Sequence, residues 1–261
     1  MCTRIELLGV AIDPLGMDQA VGQIQAWIAS GDGKCRYVVT PNVDHIVLLQ
    51  HHAGLQAAFA RAGLILADGA PVVWASRLLH TPLPGRVAGS DLVLALFDAA
   101  TDEQPTTVFL LGAAAGVAER AAANIHRRWP GVKVVGTYSP PLGFEKDHAE
   151  NLRILARIAA AKPDVLVVGL GAPKQELWVH QHHAQIQARV ALCLGATIDF
   201  LAGENSRAPV WMRDLGLEWL HRLISEPRRL AARYARDAWI FPQIVARQWW
   251  HQTRGPARVR S

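Results

Sequence analysis

Six short, mainly apolar runs constrain the fold of this 261-residue chain more than any other feature. They occupy 37–40, 64–67, 107–111, 133–136, 165–168 and 191–194. Each run is long enough for a buried strand, and stretches with helical spacing lie between them. Continuous apolar strands that alternate with helices are typical of a parallel sheet covered on both faces. The sequence therefore predicts an α/β fold, a Rossmann-like and mostly parallel sheet with helices on both faces.

Composition indicates a folded protein of a reducing compartment. Hydrophobic residues make up 51% and charged residues 19% of the chain, which allows a sizeable core and excludes global disorder. No apolar run approaches the roughly 20 residues of a spanning helix, and the first residues lack a signal-peptide core. Cys2, Cys35 and Cys193 have no paired spacing, which argues against a disulfide framework and a zinc site. We therefore expect a cytoplasmic protein.

Basic charge is concentrated at the end of the chain. Residues 211–261 contain ten arginines and four acidic residues, a net charge of +6, whereas the whole chain carries +5. The same segment holds five of the nine tryptophans. A nearly neutral body with an Arg/Trp-rich end indicates an anionic partner that only the end contacts. We predict two units, an α/β body over 1–210 and a basic helical appendage over 211–261.

The appendage has the pattern of two helices, one over about 211–224 and one over about 227–250, with a kink at Pro242. The second helix carries an apolar stripe, and most of its arginines lie off the stripe. Such a helix can pack on the body with a solvated charged face, or lie on an anionic membrane. The tryptophans favour the membrane. The stripe consists of Leu230, Tyr234, Ala238, Phe241 and Val245.

Two glycine turns that lead from strands into helices are candidate phosphate sites. Gly112 opens the first, and Gly169 and Gly171 form the second. Backbone N–H groups at such turns can bind phosphate, although tight α/β turns also use glycine without any ligand. No Lys-Ser or Lys-Thr follows either turn, which excludes a P-loop. No acidic residue follows the strand 133–136, which disfavours a dinucleotide-dependent oxidoreductase.

Polar residues begin the helix after the second turn. Lys174, Gln175 and Glu176 directly follow Pro173, a residue that suits the first helical position. Lys174 can meet a diphosphate there, and the other two can contact a sugar or a base. The alternative is the polar first turn of a surface helix, and this segment alone leaves both interpretations open.

A carboxylate follows the second predicted strand. Asp68 precedes Gly69 at the strand end, and Thr40 and Asn42 follow the end of the first strand. Open α/β sheets place their sites at the carboxyl ends of strands, so these side chains share one crevice if the two strands are neighbours. Asp68 is then a candidate general base for a hydroxyl. The alternative role is that of a turn or cap residue.

The sequence does not predict a metal site or a cofactor. His180, His182 and His183 cluster, but none has a partner at the spacing that directs two ligands from one helix face. No Asp-x-Asp occurs, which disfavours a sugar-nucleotide enzyme that holds a divalent ion through that motif. Arginine, lysine and helix N-termini would then have to neutralise a leaving diphosphate.

Six blocks in this order resemble the WecG/TagA/CpsF glycosyltransferases. Each block is a weak match by itself, but together they are specific, and they span roughly residues 5 to 241. They read TPN at 40–42, ADGAPVVWASR at 67–77, RVAGSDL at 86–92, VGLGAPKQE at 168–176, LGATIDFLAG at 194–203 with RAP at 207–209, and GLEWLHRL at 216–223 with EPRR at 226–229.

The resemblance implies an enzyme that transfers a sugar from a UDP-sugar to a polyprenyl-diphosphate-linked saccharide in bacterial surface or exopolysaccharide synthesis. It implies inversion at the anomeric centre without a metal. Asp68 is the implied base, with Thr40 and Asn42 lining the pocket. The appendage is implied to contact the membrane and bring arginine to the donor diphosphate, with Arg222, Arg228 and Arg229 as candidates. The expected UDP contacts are Gly112, Gly169, Gly171, Lys174, Gln175, Glu176 and Asp199.

Two other functions stay open from the residues alone. Ten arginines in the appendage would permit a non-catalytic adaptor that binds nucleic acid, and the glycine turns would permit a dinucleotide-dependent oxidoreductase. Of these functions we favour the transferase, with an anionic membrane surface and no nucleic acid as partner. It would lie peripherally on the inner face of the cell membrane. The donor sugar, the acceptor glycan and a homo-oligomeric state are left open.

Overall fold

A computed structural model of the chain describes residues 3–204, 208–209, 211–212 and 216–254. The strands are β1 (Ile5–Leu7), β2 (Val10–Ile12), β3 (Arg36–Val39), β4 (Leu64–Ile65), β5 (Thr106–Gly112), β6 (Val132–Tyr138), β7 (Val165–Gly169) and β8 (Val190–Cys193). The helices are α1 (Met17–Ser30), α2 (Val43–Leu49), α3 (Ala53–Arg61), α4 (Ala70–Leu78), α5 (Gly89–Asp98), α6 (Val117–Arg128), α7 (His148–Ala161), α8 (Lys174–His182), α9 (Thr197–Ala202), α10 (Glu218–Ser225) and α11 (Pro227–Arg254).

The main sheet has six strands in the order β4-β3-β8-β7-β5-β6, and every pair in it is parallel. All six predicted strands are confirmed. The antiparallel hairpin of β1 and β2 was not predicted. Its turn has positive φ at Leu8 and Gly9. Two glycine or asparagine residues would have indicated such a turn, but leucine does not. The hairpin joins the β4 edge, where Asp13 N–H donates to Ile65 O at 2.8 Å.

Apolar residues on both faces of the sheet form two hydrophobic cores. Alternate strand residues point to opposite faces, so Val168 lies in one core and Val167 in the other. Helices α2, α3, α7 and α8 cover the first face, and α1, α5 and α6 cover the second. The prediction of helices on both faces is therefore confirmed.

The appendage differs in detail from its predicted pattern. Residues 211–212 are helical as predicted, but a turn at Gly216 (φ +72°) precedes α10, which begins at Glu218, and 213–215 lie outside the described residues. In α11, Leu230 and Phe241 of the predicted stripe are buried, as in the alternative of a helix packed on the body, but Ala238 of that stripe is exposed. The buried face instead passes through Asp237 and Ile244. The stripe was misplaced because an acidic residue occupies a buried position. No helix within the described residues is both long and apolar enough to span a membrane.

Helix α11 packs against α2 of the body through polar as well as apolar contacts. The carboxylate of Asp44 accepts hydrogen bonds from Arg236 Nη2 at 2.5 Å and from Arg233 Nη1 at 3.4 Å. Near the far end of α11, Gln248 Oε1 accepts a hydrogen bond from Leu8 N at 2.6 Å. Phe241 joins the core that α2 covers. Part of the arginine excess therefore docks the appendage to the body.

Close packing of neighbouring strand ends accounts for two of the predicted phosphate-site glycines. Gly112 has φ +121°, and a Cβ there would lie 2.4 Å from Gly169 O. A Cβ at Gly169 would lie 2.9 Å from Gly195 O. Gly171 has φ +78° with nothing within 4 Å of its Cβ position, so it faces open space. Of these glycines, Gly171 therefore has the most room for a ligand.

We expect Gly112→Ala to lower the free energy of unfolding by about 2–5 kcal/mol, since it adds backbone strain and a clash with a carbonyl. Gly171→Ala is the matched control, because its Cβ meets only the cost of positive φ, about 1–2 kcal/mol. Denaturant unfolding of both variants measures the difference. Equal losses would contradict the packing explanation.

Candidate active site

The crevice lies at the carboxyl ends of β3 and β4, which pair in parallel with Val38 opposite Leu64. The backbone N–H of Asp68 donates to Pro41 O at 2.9 Å, so the two strand ends are joined directly. Thr40 is buried beside this link. The predicted adjacency of the Thr40 and Asp68 segments is confirmed.

Helix α5 begins against the Thr40 side chain. A Cβ at Gly89 would lie 3.0 Å from Thr40 Oγ1 and 2.8 Å from Leu194 Cδ2. Glycine is therefore the residue that lets this helix approach the two strand ends. The block at 86–92 reaches the crevice through this contact, and Val87 N–H also donates to Ala67 O at 2.8 Å.

Asp68 is half-buried and surrounded by charged side chains. Burial raises its pKa to about 6, and the negative charge of Glu218 adds to the rise. The positive charges of Arg86, Arg222 and His45 oppose it. No described residue donates a hydrogen bond to the Asp68 side chain. A carboxylate whose pKa lies near neutral pH is suited to general base catalysis.

Arg86 is a site residue that the sequence analysis did not single out, although it begins the block at 86–92. Its guanidinium donates to Glu218 Oε2 at 2.8 Å and to Asp91 Oδ2 at 3.2 Å. The first of these bonds joins the body to α10. The signal available in the sequence was an arginine close to a Gly-Ser-Asp helix start, but the partner 132 residues away was not visible.

Arg222 is an appendage arginine that the structure brings to the crevice. Its guanidinium carbon lies 6.0 Å from the ring centre of Phe200 in α9, and its charge lowers the pKa of Asp68. Arg228 is exposed in the first turn of α11. The side chain of Arg229 lies outside the described part of the chain. Asp199 is half-buried in the first turn of α9, next to Phe200.

A buried polar network runs from Asn42 to the β7–α8 turn. Asn42 caps α2 by accepting from His45 N–H, and its Oδ1 also lies 3.0 Å from His45 Nδ1. His45 Nε2 lies 3.2 Å from Glu176 Oε1. Gln175 Nε2 donates to the same Glu176 oxygen at 2.7 Å, and Gln175 Oε1 accepts from Gly195 N–H at 2.9 Å. The network therefore connects the ends of β3, β7 and β8.

Of the three predicted site residues at the start of α8, two belong to this network and one does not. Gln175 and Glu176 are buried rather than on a polar surface turn, while Lys174 is half-buried and pairs with Glu145 at 3.2 Å. Burial lowers the pKa of His45, but the hydrogen bond and charge of Glu176 outweigh it, so this pKa lies above its ordinary value. Sequence reasoning missed His45 because a histidine in a short helix carries no signal of a distant acidic partner.

Activity that depends on Asp68 as a base should fall in acid. We expect kcat/KM to drop as the pH falls through about 6, because the carboxyl must be ionised to accept a proton. A pH profile of the wild type and of Glu218→Gln checks this. Removing the negative charge of Glu218 should move the acid limb to lower pH. An acid limb that persists unchanged in Asp68→Asn would contradict the assignment.

The crevice contains the Asp68 carboxylate and two guanidinium groups at the carboxyl edge of a parallel sheet. This arrangement can deprotonate a hydroxyl and neutralise an anionic leaving group. Within the described residues, no group of three or more His, Cys, Asp or Glu side chains is placed to hold a metal ion.

Comparison with known proteins identifies the family. Residues 5–255 match the Glycosyl transferase WecG/TagA/CpsF family. A protein of Bacillus spizizenii named N-acetylglucosaminyldiphosphoundecaprenol N-acetyl-beta-D-mannosaminyltransferase is 35% identical over 196 residues, 75% of this chain and 74% of its own length. A Staphylococcus aureus protein of the same name is 31% identical over 231 residues, 87% of each chain. The chain is therefore a glycosyltransferase and belongs to the WecG/TagA/CpsF family.

Proposed function

We propose that this glycosyltransferase moves a sugar from a UDP-sugar to a hydroxyl of a polyprenyl-diphosphate-linked saccharide, in the synthesis of a bacterial surface polysaccharide. The relatives are named for an N-acetylglucosaminyl-diphosphoundecaprenol acceptor and for transfer of N-acetylmannosamine. The observation that carries the proposal is Asp68, a carboxylate with a pKa of about 6 in a crevice that Arg86 and Arg222 also face.

In this proposal Asp68 accepts the proton of the acceptor hydroxyl as that oxygen attacks the anomeric carbon of the donor sugar. The new glycosidic bond forms while the bond to the UDP oxygen breaks, and UDP leaves with the electron pair. Because the attack comes from the face opposite UDP in a single displacement, the anomeric configuration inverts. Thr40 and Asn42, at the neighbouring strand end, line the pocket in which the two sugars meet.

The leaving diphosphate develops negative charge that the site must neutralise. Arg222 and Arg86 supply positive charge at the crevice, and Arg86 is held in place by Glu218 and Asp91. Guanidinium groups bind diphosphate oxygens through paired hydrogen bonds. The proposed reaction therefore uses arginine where other sugar-nucleotide enzymes use a divalent ion.

The appendage is proposed to hold the enzyme at the inner membrane surface, where a polyprenyl-linked acceptor is found. Each of the five appendage tryptophans is exposed, and indole rings favour the bilayer interface. Arginines of the same segment would interact with anionic lipid headgroups. The exposed tryptophans are Trp211, Trp219, Trp239, Trp249 and Trp250.

We expect UDP release to require both substrates and to continue in excess EDTA. The assay uses UDP-N-acetylmannosamine first, because the relatives are named for that sugar, with a short-chain lipid-diphosphate N-acetylglucosamine acceptor. A panel of other UDP-sugars tests the donor. Loss of activity in EDTA that manganese or magnesium restores would contradict metal independence. Failure of every donor with the lipid-linked acceptor would contradict the proposed function.

A further inference from the structure

An apolar groove of about 640 Å³ lies between α4 of the body and α11 of the appendage. Its lining residues are all apolar, and large side chains in it are open to solvent: Leu78 is 57% and Trp74 53% exposed. Nothing in the crevice chemistry described above uses this groove. Its walls include Pro71, Trp74 and Leu78 from α4, and Pro242, Val245 and Trp249 from α11.

The groove begins close to the crevice in the chain, because its first wall residue, Pro71, lies three residues after Asp68. Helix α4 begins at Ala70, two residues after Asp68. Pro71, Trp74 and Leu78 are spaced three and four apart, so they line one face of α4 over about 10 Å, at 1.5 Å per residue. The groove therefore leads away from the proposed base along a single helix.

The two ends of this path differ in charge. At the near end, Gly216 packs against Ala70, since a Cβ on Gly216 would lie 2.4 Å from Ala70 Cβ. That contact places the start of α10, the helix of Arg222, over the first turn of α4. The groove beyond it has no charged lining residue. Cationic groups followed by an apolar channel complement one kind of ligand, an anionic diphosphate followed by hydrocarbon.

We propose that this groove binds the first isoprene units of the acceptor's polyprenyl chain. The inference rests on the proposed function and deepens it by giving the lipid part of the acceptor its own subsite. A bilayer would contact Trp239 of α11 as readily as the groove residues, since Trp239 is 75% exposed and lies outside the groove. Bilayer contact therefore does not require a groove. The closeness of the groove's start to Asp68 favours a chain attached to the reacting saccharide.

The test measures KM and kcat with soluble acceptors whose prenyl chain lengthens one isoprene unit at a time, without membranes. We expect KM of the wild type to fall at least about fivefold per added unit until the groove is filled, because each buried carbon contributes up to about fourfold. Leu78→Ser and Trp249→Ser should abolish this gain while leaving kcat with the shortest acceptor unchanged. Trp239→Ser is the matched control and should keep the gain.

A second measurement is independent of turnover. Farnesyl diphosphate should bind the wild type at least about tenfold more tightly than inorganic diphosphate does, and Leu78→Ser should remove that difference. A KM that does not change with chain length, together with equal binding of the two probes, would contradict prenyl binding in the groove but not the proposed transfer reaction. Absence of turnover with preserved, Leu78-dependent farnesyl diphosphate binding would overturn the proposed function alone.

Two other occupants give distinct results. If Leu78→Ser reduced sedimentation with anionic vesicles but kept the chain-length gain, the groove would contact bilayer lipid, and the proposal would be wrong. If the wild type were a dimer that Leu78→Ser dissociated, with no effect on chain length, a second copy would occupy the groove. Thermal unfolding of each variant should match the wild type, since the replaced side chains are 44% to 75% exposed.

Discussion

Replacing Asp68 with asparagine should reduce kcat at least about a hundredfold, the usual contribution of a positioned general base. Asparagine keeps the size of the side chain but cannot accept the proton of an attacking hydroxyl. The folded state should persist, because the backbone link from Asp68 to Pro41 does not involve the carboxylate. Turnover by UDP release, with UDP affinity measured separately, checks this expectation.

Asp32→Asn is the matched control for that experiment. Asp32 precedes β3 at the opposite end of the strand and pairs with Arg36 on the surface, so its loss should leave kcat near the wild-type value. Near-normal turnover by Asp68→Asn would exclude Asp68 as the base. A loss of UDP binding equal to the loss of kcat would assign Asp68 to donor binding instead.

Arg222→Ala should also lower kcat about a hundredfold with a water-soluble acceptor, as loss of one preorganised donor costs on the order of 3 kcal/mol. Of the two candidate arginines whose side chains are described, Arg222 is favoured over Arg228 because its charge acts on Asp68 and its guanidinium lies over Phe200. Arg222→Lys keeps the charge but loses the paired donors, and we expect an intermediate rate.

Arg228→Ala is the control within the same appendage. Arg228 is exposed at the start of α11, so its removal should weaken vesicle binding and leave turnover of a soluble acceptor unchanged. Equal losses of soluble-acceptor turnover in both variants would point to a general effect of positive charge rather than to one catalytic arginine. Full activity of Arg222→Ala would contradict its role at the diphosphate.

Point substitutions separate these roles better than removal of residues 211–261. The sheet itself contains no appendage residue, so the body should still fold. Removal would nevertheless take away the buried side chains of Leu230, Phe241 and Ile244 and leave Asp44 without its arginine partners. Part of any lost activity would then reflect lost stability, because the Asp44 carboxylate is buried and would be left unpaired.

The predicted strands and crevice residues show which features of the fold can be predicted from local sequence patterns. Continuous apolar runs located all six strands, because a strand buried on both faces needs no distant partner to define its composition. Asp68 and Thr40 were expected at one edge because parallel strands end on the same side of a sheet. The strand order, with β8 and β7 between β3 and β5, was not visible in any run.

The blocks of sequence resemblance identified the family, and the base was expected from both the blocks and the strand ends. What depended on the tertiary structure was the pairing of residues far apart in the chain. Arg86 meets Glu218 across the crevice, His45 meets Glu176 under it, and Asp237 is buried where an apolar residue was expected. The periodicity of a sequence shows which positions are apolar. The free-energy cost of burying a charged side chain depends instead on its partner in the fold, which can lie far away in the chain. For that reason the sequence by itself determined the sheet and the carboxylate at its edge, and the tertiary structure alone decided which arginines stand beside that carboxylate.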